Sequence, residues 1–283
     1  MRKLIFLIVF TIASNFSKAQ MYDAYEHAGE FGISVGAAHY FGDLNNTAAL
    51  NRPKFAAGIF YNRQLNNYIS IKINGSYSML GYSDAYSENP VQRIRNLSFN
   101  TNVWEISASG IFNFFRFVPG FPEFSFTPYV GLGIGAFNFD PYTYLNGEKI
   151  YLRPLGTEGQ GSSLYPNLKP YSSVAMCIPL TIGFKKALNE RMNIFAEVSY
   201  RFTNTNYLDD VGGVYAPDAF SPVDANGNPS TWFLLQDRSY ETTNTPIGVK
   251  GRQRGVGGSH KDSYATFQIG VSFNLQSYRC PKN

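Results

Sequence analysis

Charge is scarce in this chain. Asp, Glu, Lys and Arg make up 16% of its 283 residues, against roughly 25% in ordinary soluble domains. The net charge is +4, and three basic residues (Arg2, Lys3 and Lys18) lie in the first nineteen, so the remainder carries only +1. A nearly neutral chain has no global field with which to attract phosphate, which argues against nucleic acid as a partner. Cysteine is rarer still. Cys177 and Cys280 are too few for a disulfide scaffold. Long apolar runs are also missing: no segment approaches the ~20 residues that a membrane-spanning helix needs. What is abundant is aromatic surface, at 16%, within a hydrophobic share of 44%. That balance excludes disorder and coiled coil and leaves enough apolar area for a sizeable fold.

The first twenty residues read as an export signal. Met1-Arg2-Lys3 gives a short positive start, and Leu4 to Ala13 is an almost unbroken apolar run. Ser17-Lys18-Ala19 then places small residues where a signal peptidase reads, with cleavage expected between Ala19 and Gln20. The expected organisation is therefore a leader over 1–19 and one domain over 20–283.

From Gly29 onward the residues alternate with a period of two. Successive strand side chains point to opposite faces, so this pattern marks strands that separate two environments. Eight segments fit, at about 30–42, 54–64, 68–82, 102–115, 124–139, 174–186, 191–207 and 261–275. In the fourth, Trp104, Ile106, Ala108, Gly110, Phe112 and Phe114 oppose Glu105, Ser107, Ser109 and Asn113. No helix of any length is evident.

Alternation alone does not say which face meets water, and a lipocalin-like soluble barrel would put the apolar face inside. Two features turn it outward. Aromatic residues crowd the segment ends (Tyr40, Phe41, Tyr61, Tyr82, Phe99, Tyr207 and Tyr264), as interfacial girdles do. Connections also alternate strictly between long and short, with 43–53, 83–101, 140–173 and 208–260 long. Outer-membrane barrels have short periplasmic turns and long external loops, and an even strand number follows from the same topology. The expected fold class is all-β: an eight-stranded antiparallel up-and-down transmembrane barrel, held in outer-membrane lipids. Its polar interior, with Glu105, Glu197, Arg201 and Lys72, is filled by side chains and is too narrow to conduct a protein.

Candidate chemistry is thin. Gly131, Gly133 and Gly135 share a face and either make room for bulky neighbours or mark a close strand contact. They lack phosphate-binding spacing and no helix follows, so no cofactor site is expected. Asp224-Ala225-Asn226-Gly227-Asn228 opens like a calcium loop, but Pro229 stands at the turn-glycine position and Leu235 where the bidentate acid belongs. A polar turn is the better reading, and no metal site is expected. His39 falls on the Phe31, Ile33 and Val35 face, at the headgroup level. His260 faces Asp209 and Asp210 across the last hairpin, where a rim hydrolase is geometrically possible; ordinary rim charges are the commoner explanation, and no catalytic residue is assigned. Lys250, Arg252, Arg254 and Lys261 form either an anion-binding cluster or a solvated loop.

On the inner side one turn stands out: Arg116-Phe117-Val118-Pro119-Gly120-Phe121-Pro122-Glu123. Exposed aromatics held by prolines mark a docking patch, or they dip into the headgroup layer. Arg116, Phe117, Val118 and Phe121 are the candidate partner-binding residues, together with Cys280. Cys177 sits near the outer end of its strand and Cys280 beyond the inner end of the last, too far apart to bridge.

The first-strand phrase Gly29-Glu30-Phe31-Gly32-Ile33-Ser34-Val35-Gly36-Ala37-Ala38-His39-Tyr40-Phe41-Gly42-Asp43-Leu44, with the leader and the final strand, resembles the PorG-like outer-membrane barrels of the type IX secretion system of Bacteroidetes. That resemblance implies a non-enzymatic barrel associated with a periplasmic ring of PorK and PorN. It carries over no catalytic residue and no cofactor. A rim hydrolase and a surface receptor or adhesin acting through loops 140–173 and 208–260 are the alternatives.

Overall fold

The computed structural model describes residues 25–244, 246–255 and 261–278, with side chains from 28 to 275 within them. The leader with Ala19 and Gln20, His260 and Cys280 lie outside the described residues.

Ten strands form one sheet: β1 Tyr25–Phe41, β2 Lys54–Gln64, β3 Ile69–Ser83, β4 Ser98–Asn113, β5 Phe126–Asn138, β6 Tyr142–Leu145, β7 Glu148–Tyr151, β8 Val174–Ala187, β9 Met192–Thr203 and β10 Ser263–Tyr278. Eight of them close a barrel. Each pairs antiparallel with its chain neighbour, β5 pairs with β8 across the β6–β7 hairpin, and β1 pairs with β10. Closure leaves no barrel strand with an open edge.

The period of two decides the faces. β8 alternates exposed and buried without a break over its fourteen residues. The outward positions are apolar and exposed in this chain, as in Ile106 and Ile134 at 65% and Trp104 at 63%. The inward ones include Glu30, Lys72, Glu105, Lys185, Glu197 and Arg201, all buried. A folded chain exposes a continuous apolar belt only to a non-aqueous neighbour. Within that belt the interior is crowded enough to require glycine. A Cβ at Gly131 would meet the Ile111 side chain, and one at Gly133 would meet both Ser109 and the Ala108 carbonyl. Both readings of this glycine run therefore hold.

Several expectations need correction. Tyr40, Tyr82, Phe99 and Tyr264 are no girdle: they are 1%, 4%, 1% and 0% exposed and form the core of the outer end. All four stand at inward positions of the alternation, and Tyr264 reaches the interior carboxylate of Glu105 at 2.7 Å. The outward aromatics at the outer rim include Phe41, as expected, stacked on Tyr200 at 5.9 Å, together with Tyr77 and Trp104, 4.7 Å apart, and Phe202, 4.8 Å from Tyr200. His39 is buried rather than at headgroup level, with Nε2 accepting from the Arg52 amide at 3.4 Å. Phe117, read as exposed, is 2% exposed.

The long loops also hold structure that no periodicity announced. α1 (Pro90–Arg95) and α2 (Thr231–Gln236) are single short helices whose first amides are capped by Asn89 and Ser230. The β6–β7 hairpin turns at Asn146-Gly147, with φ of 53° and 85°, the backbone that an Asn-Gly two-residue turn supplies.

Candidate functional site

Strand pairing brings the inward charged residues into three layers along the barrel axis. Nearest the periplasmic end, Glu30 of β1 accepts from Lys185 of β8 at 2.5 Å, from Asn62 and Asn193 at 2.9 Å, and from Ser272 at 2.6 Å. In the middle, Lys72 Nζ donates to both oxygens of Glu197 at 2.8 Å, and the Tyr129 hydroxyl adds a bond of 2.6 Å. Further out, Arg201 Nε donates to Glu105 at 3.0 Å, with Tyr264 at 2.7 Å and Ser107 at 2.9 Å on the same carboxylate. A buried carboxylate is tolerable only when a cation and several donors compensate its lost hydration, and each of these has both. Pockets of only about 20 and about 10 Å³ lie among these layers.

Both ends are closed as well. At the periplasmic mouth Phe117 turns into the barrel, its ring centroid 4.5 Å from Lys185 Nζ, and its amide donates to Asn67 of the neighbouring turn at 3.4 Å. Val118 is half-buried and bonds Phe124 O at 3.0 Å. Arg116 lies over the Phe124 ring at 4.8 Å. Of the candidate docking residues, Phe121 alone is a plainly exposed aromatic, at 53%. The structure thus divides the turn between a plug and a rim.

At the outer end the three longest loops fold into one cap. Arg254, 2% exposed, donates to Thr157 Oγ1 at 2.8 Å, to the Asp210 carbonyl at 2.6 Å and to the Gln236 carbonyl at 3.1 Å. Its own carbonyl accepts from Arg95 at 2.7 Å, and Arg95 grips both oxygens of Asp84 at 2.7 Å. Trp232 packs with Ala216 and Ala219 and donates to Gly156 O at 3.2 Å. Tyr171 stacks on Tyr207 at 4.5 Å.

Burial raises the Asp84 and Asp210 carboxyls above their ordinary range, against the lowering effect of Arg95 and Arg254. Burial also raises Glu158, with Asp210 adding to it and Arg254 opposing, to about 7. The basic residues read as one cluster are split: Arg252 and Arg254 line one pocket with Arg95, and Lys261 lines another. Arg254 is in the cap core, while Lys250 is exposed and pairs with Asp218 at 2.6 Å. Asp224 Oδ1 accepts from the Asn226 and Asn228 amides at 2.8 and 2.9 Å, which makes that segment a polar turn.

A closed eight-stranded antiparallel barrel with an apolar exterior, a polar filled interior and all its long loops at one end defines the class as an outer-membrane β-barrel. Residues 2–154 match the profile of the family described as Domain of unknown function (DUF6089), and the chain belongs to that family. No curated protein matches the chain. Solved structures similar to it include Neisserial surface protein A, at 11% identity and a TM-score of 0.42, covering 88% of this chain and 97% of that one. Another is a major outer membrane protein from Thermus thermophilus, at 11% identity and 0.38, covering 88% and 100%. A third is the Yersinia pestis attachment invasion locus protein Ail, at 12% and 0.37, covering 87% and 99%. The fold rests on the strand pairing itself.

Proposed function

We propose that this barrel is a non-enzymatic outer-membrane component of a type IX protein secretion machinery, anchoring or positioning a periplasmic ring of PorK and PorN type. The observation that carries the anchoring role is the filled interior: three ion-pair layers and the inward Phe117 occupy the space through which a cargo protein would have to pass. A barrel that conducts no cargo protein contributes its lipid anchorage and its two faces. The assignment of the partner rests on the first-strand phrase from Gly29 to Leu44 and on the export leader at 1–19. Phe121, which is exposed, and the half-buried Arg116 and Val118 are the proposed contact.

A rim hydrolase is less consistent with the geometry. Asp210 is taken up by Arg254, Thr157 and Tyr171, and Asp209 by Tyr40. The ordered cap favours a second reading, in which the outer face of loops 140–173 and 208–260 receives an extracellular partner.

Mild-detergent purification of the tagged protein from its native outer membrane, with mass spectrometry of the co-purifying proteins, tests the proposal. Recovery of a ring lipoprotein in fixed ratio, lost with Phe121→Ala and Arg116→Ala together, supports the anchor. A lone barrel would overturn it and move attention to the cap.

A further inference from the structure

We propose that Asp209 and Asp262 share a proton through Tyr40 and so form a latch, released as pH rises, that holds both roots of the last outer loop against β1. This inference is independent of the partner proposed above.

Asp209 lies six residues after β9 and Asp262 immediately before β10, so the pair joins the start and the end of the 204–262 loop. They are 2% and 1% exposed. Tyr40 Oη lies 2.6 Å from Asp209 Oδ2 and 3.1 Å from Asp262 Oδ1. The hydroxyl has one hydrogen and can donate to only one of them. The other contact is a hydrogen bond only if that carboxyl carries a proton and donates to the hydroxyl oxygen. The order Asp262 carboxyl to Tyr40 to Asp209 carboxylate satisfies both distances. The remaining oxygens accept backbone amides, Asp262 Oδ2 from Leu208 and Asp209 Oδ1 from Val211, both at 2.9 Å.

The charge surroundings demand the same proton. Glu30, Glu105, Glu197, Asp84 and Asp210 are buried, and each touches a Lys or Arg. Among the described residues, Asp209 and Asp262 touch none. A third carboxylate, Asp43 from the first outer loop, comes within 4.8 Å of both. Among the described residues, Lys261, Arg95 of α1 and Tyr171 also act on the pair. Two nearly inaccessible carboxylates this close disfavour each other's charge when no cation lies between them. Burial, and then the neighbouring carboxylates, raise both groups well above the ordinary aspartate range.

The direction of the effect follows. A carboxyl whose folded pKa is raised gives stabilisation that is complete in acid and lost as pH rises through the folded value. Deprotonation leaves two facing negative charges beneath the loop, and separating its roots relieves them. The fit around Tyr40 is close: a Cβ on Gly42 would contact both the Tyr40 hydroxyl and Asp262 Oδ1.

The test is amide hydrogen exchange of the full-length protein in phospholipid vesicles, followed over 204–215 and 261–266 from about pH 5 to about pH 9 and corrected for intrinsic rates. The expected result is loss of protection at those segments by about tenfold or more as pH rises. Asp262→Asn, whose amide is a permanent donor to Tyr40, should remain protected throughout. In the unaltered protein, the infrared band of a protonated carboxyl should disappear over the same pH range, a reading that needs no variant to fold. Protection that does not change with pH would overturn the latch. So would a transition abolished by Glu158→Gln or His260→Gln and kept in Asp262→Asn, because the titrating group would then lie elsewhere. Restoration at high pH by calcium chloride alone would overturn it in favour of a cation site.

Discussion

Lys72 and Glu197 are 125 residues apart, yet Lys72 Nζ lies 2.8 Å from both carboxylate oxygens at the centre of the barrel. Both side chains are nearly inaccessible, and removing one partner leaves the other's charge without compensation. Lys72→Met is therefore expected to destabilise the barrel by about 3–5 kcal/mol. The double variant Lys72→Met with Glu197→Gln should recover much of that loss. Urea unfolding from phospholipid vesicles measures both. Equal destabilisation in the single and double variants would show that the pair is not the relevant contact.

The outward face is tested at its middle. Ile106 is 65% exposed, halfway along β4. Ile106→Lys is expected to cost about 2–4 kcal/mol in a bilayer, the penalty for a lysine near the midplane. The same unfolding measurement reads it. An unchanged stability would mean that this face does not meet lipid.

The inner turn separates two roles within five residues. Phe117→Ala empties the periplasmic plug and should cost about 3–5 kcal/mol. Phe121→Ala removes an exposed ring and should change stability by less than about 0.5 kcal/mol. If Phe121 contacts the ring, its variant loses co-purifying partners from an intact barrel, and heat-modifiable electrophoretic mobility verifies that the barrel is folded.

Glu158 makes the cap pH-dependent in its own right. Burial raises its carboxyl to about 7, so stabilisation from its proton is complete in acid and declines as pH rises through about 7. Resistance of the 140–173 loop to protease is expected to fall between about pH 5 and about pH 9. Glu158→Gln should remove that dependence. A variant that keeps the full pH dependence would assign the titration to another group.

Much of the barrel was legible because a strand's two faces leave a direct mark on the sequence. Lys54–Gln64 reads as a strand in sequence with the same bounds that the structure gives β2. Glu105, Lys72, Glu197 and Arg201 stood out as interior charges for the same reason. Their partners did not, because pairing depends on register between strands far apart in sequence; Lys185, which meets Glu30 155 residues away, carried no local signal. The aromatic residues misled because position near a strand end was weighed above facing. Tyr40 and Tyr264 lie near strand ends, as girdle residues would, yet the alternation turns both inward, onto Asp209 and Glu105. The cap itself was largely silent, since Arg254 reaches its acceptors through irregular backbone that no period describes. Two local signals were legible there: the polar turn at Asp224–Asn228, and Asn146-Gly147, a hairpin signal inside a segment read only as a long loop.

The pairing of β1 with β10 has a further consequence, for the order of assembly. Register runs from Tyr25 opposite Tyr278 to Phe41 opposite Ser263, so the first strand made has to wait for the last. Until β10 arrives, β1 and β9 each present a bare row of amides and carbonyls. Those two rows are where an unfinished chain is most exposed to pairing with another.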